Sequence, residues 1–130
     1  MKWAGSHTAV CFSPDDRYVM TRMQENALHG WRLRDKADLR MSGYPQNVKG
    51  WAWAGKLPHL ATTGADEAIL WPFDGAQGPM GRGPMQLAWG GRGYVTAVCA
   101  LPGHEAVLAG YSSGAVIFSE IDQIAEPRAV

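Results

Sequence analysis

The chain lacks the means for several common ways of life. It has two cysteines and no C-x-x-C, too few for a disulfide scaffold or a thiolate metal site. No stretch approaches the roughly 18 consecutive apolar residues of a membrane span. The opening residues, Met1 to His7, hold no apolar run of the secretory type. These absences lead us to expect a cytoplasmic chain without a membrane partner. Charge of one sign is missing too. Twelve Lys and Arg balance twelve Asp and Glu, whereas domains that grip phosphate backbones usually carry a basic face. Nucleic acid is therefore not expected as a partner. Helical periodicity is scarce, because Gly, Pro or paired turn residues interrupt the pattern about every 8–12 residues. Only Glu120 to Ile124 offers a helical turn, with Pro127 to end it.

What is present is a globular balance, 46% apolar and 18% charged over 130 residues, with sixteen Gly and six Trp. A repeat accounts for much of it. Thr8-Ala9-Val10-Cys11 recurs as Thr96-Ala97-Val98-Cys99, 88 residues on, and each copy reaches a Pro three residues later (Pro14, Pro102). A middle copy falls at Val48-Lys49-Gly50-Trp51-Ala52-Trp53. The second half of the unit aligns Thr21 to Trp31 with Thr63 to Phe73 and Ala109 to Ser119, ten residues each. Within a unit the pattern predicts four short strands. Val10-Cys11-Phe12 leads into the turn Ser13-Pro14-Asp15-Asp16. Arg17 to Thr21, Ala27 to Leu33 and Leu39 to Ser42 supply the other three. The class expected is all-β.

Three units of roughly 44 residues and four strands resemble the WD40 repeat of β-propellers. Ala9-Val10-Cys11-Phe12-Ser13-Pro14-Asp15-Asp16 is similar to the family's first strand and following turn. Leu60 to Asp74 is similar to its second strand, tight turn and closing dipeptide, with Phe73 standing where the family has Trp. In the third unit, Ser119 replaces that aromatic. The tight-turn acid position holds Glu25, Glu67 and Ser113, and His7 does not fall at the family's His position. The resemblance implies a β-propeller segment of three four-stranded antiparallel blades, at 8–43, 48–89 and 95–130. Residues 1–5 would form the outer strand of an adjacent blade. Propellers close with typically four to eight blades. Three leave an apolar sheet face bare at each end, to be covered by the remaining blades of a longer propeller or by another copy completing the ring.

Candidate chemistry is sparse. The spacing of His7, His29, His59 and His104 follows the repeat and not any metal-ligand pattern. Cys11 and Cys99 fall at equivalent positions of innermost strands, where small core residues are expected. The glycine-rich segment 75–84 lacks the Gly-Lys-Ser/Thr of a phosphate loop, so no cofactor is expected. Trp31, Trp51, Trp53 and Trp71 fall inside strands and are expected to fill space between blades, with Trp3 and Trp89 on outer strands. By resemblance, the loops entering the first strands line the top face together with the tight turns. Those segments carry Tyr44, Trp89, Arg92, Tyr94 and Tyr111, of the types that dominate protein–protein hot spots. They are the expected partner-binding residues of a non-catalytic protein-interaction scaffold. The alternative is a propeller-type hydrolase or lyase with its site at the central channel, or a truncated propeller fragment with no independent role. A channel site would need convergent His, Asp or Glu. The innermost strands offer Val10, Phe12, Trp51, Trp53, Val98 and Ala100 instead.

Overall fold

A computed structural model describes residues 1–121 and the backbone of residues 128 and 129. It is all-β, with no α-helix among the described residues. The strands are β1 (His7–Phe12), β2 (Tyr18–Met23), β3 (Leu28–Arg32), β4 (Asp38–Met41), β5 (Trp51–Ala54), β6 (His59–Thr62), β7 (Ala68–Pro72), β8 (Met85–Leu87), β9 (Val95–Ala100), β10 (Ala106–Tyr111), β11 (Val116–Glu120) and β12 (Arg128–Ala129). They form three four-stranded antiparallel meanders: β1–β4, β5–β8 and β9–β12. Contacts divide the chain into two compact units, Met1–Val48 and Lys49–Val130. The first holds one sheet and the second holds two.

In the first unit, local chemistry fixes the turns. The Ser13 hydroxyl donates to Asp15 and accepts from the Tyr18 amide at 3.0 Å. Asp16 takes a left-handed backbone at φ 61°, which Asp tolerates better than most residues. Between β3 and β4, Arg32 grips Asp35 at 2.7 Å. That hydrogen bond, with one from the Ala37 amide, holds the Asp35 carboxyl down at about 2. Tyr18, Met20 and Leu28 are fully buried at the sheet centre.

The second unit is organised by a shared core. Ala54, Ala61, Ala68, Leu70 and Leu87 from the sheet β5–β8 meet Val95, Val107, Ala109, Tyr111, Ile117 and Ile121 from the sheet that starts at β9. Small residues on one side let the second sheet approach closely enough to exclude water. This gives the dense packing that protein interiors require.

The three sheets share one register. Val10, Trp51 and Val98 lie opposite Thr21, Thr62 and Ala109. The residues just past each third strand, Leu33, Phe73 and Ile121, donate their amides to Arg17, Pro58 and Glu105. This corrects the sequence alignment of the middle unit by one residue at its threonine and by two at its aromatic, because the β6–β7 connection is one residue shorter than β2–β3. Thr62, not Thr63, is the equivalent of Thr21: each hydroxyl donates across to the facing strand, at the Ile69 and His29 carbonyls. Trp71, not Phe73, then matches Trp31, facing Leu60 as Trp31 faces Val19. Thr63 has a separate duty, accepting from the Lys49 and Gly50 amides at 3.0 and 3.1 Å.

Other expectations also need revision. Cys11 is half-buried and Cys99 exposed, so neither is a core residue. Trp3 lies on no strand and stacks on His29 within its own unit; residues 1–5 pair with none of the described sheets, as a strand belonging to another blade would not. Trp89 lies in the loop beyond β8 and not on an outer strand. The turn expected at Glu120–Ile124 falls mostly outside the described residues, and Glu120 itself closes β11.

Candidate functional site

At one end of the two sheets of the second unit, three connections are zipped together by backbone hydrogen bonds. They are the β6–β7 turn (63–67), the β8–β9 loop (88–94) and the β10–β11 turn (112–115). Gly64 donates to the Val95 carbonyl at 3.3 Å, and the Val95 amide donates to Ala65 at 2.8 Å. Tyr94 donates to the Ser112 hydroxyl at 2.9 Å, and the Ser112 amide returns to the Tyr94 carbonyl at 2.8 Å. Gly93 makes that approach possible. Its φ is +96°, and a Cβ there would stand 2.6 Å from the Ser112 hydroxyl oxygen.

On this frame the Trp89 indole folds back over Gly91, where a Cβ would strike the ring. It packs on the Tyr111 ring with centroids 4.9 Å apart, in a tilted pair. Tyr111 faces Val95 across β9–β10, and Val95 is bonded to Ala65, so the Asp66-Glu67 turn lies beside the phenol. Burial raises the phenol's pKa, and the Glu67 and Asp66 carboxylates add to the rise. Trp89 is half-buried, Arg92 exposed and Tyr94 39% exposed. Tyr111 is only 6% exposed, so it supports the Trp89 ring from below.

Tyr44 stands in the first unit and is likewise buried, at 7%. The loop that carries it is fastened by Asn26, whose side-chain amide donates to the Pro45 carbonyl at 3.2 Å. Of the five residues expected to face a partner, the structure thus brings Trp89, Arg92, Tyr94 and Tyr111 into one loop cluster. Trp89, Arg92 and Tyr94 reach solvent. Sequence reasoning missed Gly93 and Ser112, the two residues that lock the cluster. The only sequence signal was a Gly directly before an aromatic at a strand entrance.

The opposite end of these sheets offers little chemistry. Two shallow clefts of about 160 and 170 Å³ lie around Leu101 and His104, smaller than the roughly 300–1,000 Å³ of small-molecule sites. Glu105 there is tied up by the Lys56 amide at 2.6 Å. Among the described residues no three His, Cys, Asp or Glu side chains converge as a metal site.

No protein-family model matches this sequence, and no curated protein matches it. Solved structures do. Those entitled "Structure of U3-55K" and "Crystal structure of RRP9 WD40 repeats" each superpose on all of the chain with TM-score 0.74 at 15% identity. The chain spans 39% of the length of each. At that identity the likeness concerns the fold: the chain folds like consecutive blades of a WD40 propeller.

Proposed function

We propose that the chain is a non-catalytic protein-interaction scaffold of the WD40 type, and that it binds a protein partner through the 88–94 loop. One observation carries this reading. The Trp89–Tyr111 pair is held on a hydrogen-bonded frame, with Arg92 and Tyr94 presented outward. A rigid aromatic beside an exposed Arg loses little conformational freedom on binding, which is why such groups dominate interface energetics. Asp66 and Glu67 beside the platform favour a partner segment carrying positive charge. The first-strand residues Val10, Phe12, Trp51, Trp53, Val98 and Ala100 can neither give nor take a proton, which supports the non-enzymatic reading over a channel-sited hydrolase or lyase. The neighbours' greater length supports a ring finished by further blades, which residues 1–5, paired with none of the described strands, would join as an outer strand once Trp3 leaves His29. We place the protein in the cytoplasm.

The test is capture of partners on immobilised chain, with Trp89→Ala/Arg92→Ala as the comparison. The expected outcome is at least a tenfold loss of each specific partner, because two hot-spot truncations at about 1–2 kcal/mol each reach that factor. Undiminished binding of every partner overturns the assignment of this face.

A further inference from the structure

One face of the first sheet has a cover of its own. Register places Val10, Phe12, Thr21, His29 and Trp31 where the β9–β12 sheet has Val98, Ala100, Ala109, Ile117 and Ser119. In the second unit that face packs on the small residues of the sheet β5–β8. In the first unit its centre is covered by Trp3, whose indole stacks on the His29 ring at 4.1 Å and 15°. Trp31 meets the same imidazole edge-on at 4.8 Å, and His7 Nδ1 stands 3.0 Å from the Thr21 hydroxyl. His29 is 1% exposed, yet its Nδ1 finds no hydrogen-bond partner among the described residues. The cover is partial: Val10 is 69% exposed and Phe12 62%.

We propose that this face is a docking surface for a second copy of the chain, and that Trp3 is the latch lying over it. The inference rests on the propeller reading. The same molecule carries the complementary surface. On the sheet β5–β8, Ala52, Ala54, Ala61 and Ala68 share the face that meets the next sheet, most of them within the shared core. On the β9–β12 sheet those positions are Cys99, Leu101, Leu108 and Val116. All four are apolar, with Cys99 exposed, Leu101 39% and Val116 42% exposed. A head-to-tail contact between these two faces brings together the same register positions that already meet inside the second unit, with larger side chains in place of the alanines. Such a contact closes into a ring when the rotation allows. Trp3 belongs to no strand, so its departure breaks no sheet ladder. Its release uncovers the His29 imidazole for the second copy's sheet to bury.

Mass measured by light scattering across a hundredfold concentration range tests this. Trp3→Ala should assemble into two or more chains at a concentration at least tenfold below wild type. Adding Val116→Glu to Trp3→Ala should restore the single-chain mass. Both substituted sites are solvent-exposed, and a β-type circular dichroism spectrum checks that the variants fold. Trp89→Ala should leave assembly unchanged, so a failed partner platform reads out separately. Trp3→Ala that stays a single chain throughout overturns the proposal. So does assembly indifferent to Val116→Glu, or wild type fully assembled at the lowest concentration.

Discussion

The sheet of the first unit and the sheet beginning at β9 solve the same burial problem with opposite chemistry. At the position where β11 places Ile117, β3 places His29. Opposite each, β10 has Ala109 and β2 has Thr21. The Ile/Ala face is dry and complementary to the small residues of its neighbour, so it needs only a close fit. The His/Thr face must satisfy polar groups as well. Thr21 reaches the His29 carbonyl at 3.3 Å, Asp38 stands 3.4 Å from His29 Nε2, and an aromatic lies over the ring. A buried polar group costs stability wherever its partners are incomplete. The His/Thr face is therefore the more sensitive to solution conditions, and the Ile/Ala face the more sensitive to lost volume.

The sharpest way to break that contrast is to remove volume. Leu70→Ala, at a fully buried position in the shared core, should cost about 2–5 kcal/mol by transfer and cavity terms. Urea unfolding reads the loss, and amide exchange across β6–β7 and β9–β10 locates it. Gly93→Ala comes next. Its φ of +96° and the nearby Ser112 hydroxyl oppose a Cβ, and a strained backbone position of this type costs roughly 1–3 kcal/mol. The loop cluster should loosen, and partner binding should fall along with stability. Thr62→Val keeps the shape but removes the bond to the Ile69 carbonyl. It should cost about 1 kcal/mol.

The smallest effect separates the faces by pH. Burial is the main cause that lowers the pKa of His29, although Asp38 opposes it and His7 and Arg40 add to it. A histidine depressed in the folded state binds fewer protons there than in the unfolded chain. Its contribution is therefore complete well above the ordinary histidine pKa and is lost as pH falls through and below about 6.5. Stability should decline over that range, and His29→Ile, the residue that β11 and β7 use at this position, should flatten the slope. A slope of unchanged steepness in His29→Ile would move the effect to another group.

Much of this was legible in the chain itself. The recurrence of Thr-Ala-Val-Cys and the Ser13-Pro14-Asp15-Asp16 turn were enough to expect four-stranded units, since turn chemistry and alternation are local properties. The one-residue slip between Thr63 and Thr62 shows where that reading stops. Neighbouring threonines look alike in sequence, and only strand pairing decides which hydroxyl points at the facing carbonyl. The cysteines illustrate a second limit. A small apolar residue on a first strand reads as core, but Cys99 lies on the face turned away from the shared core. For the loop cluster, composition pointed to Trp89, Arg92 and Tyr94, while Gly93 and Ser112, which hold them in place, were not distinctive.

The sequence alone determined that this chain is a succession of antiparallel meanders without the charge, cysteine or histidine patterns of common catalytic or nucleic-acid sites. These follow from residue type and spacing over a few positions. Tertiary structure decided which face of each meander is dry, that Tyr111 supports Trp89 instead of meeting solvent, and that Trp3 lies on His29. Those outcomes depend on which distant residues arrive at the same place, and spacing along a chain does not encode that directly.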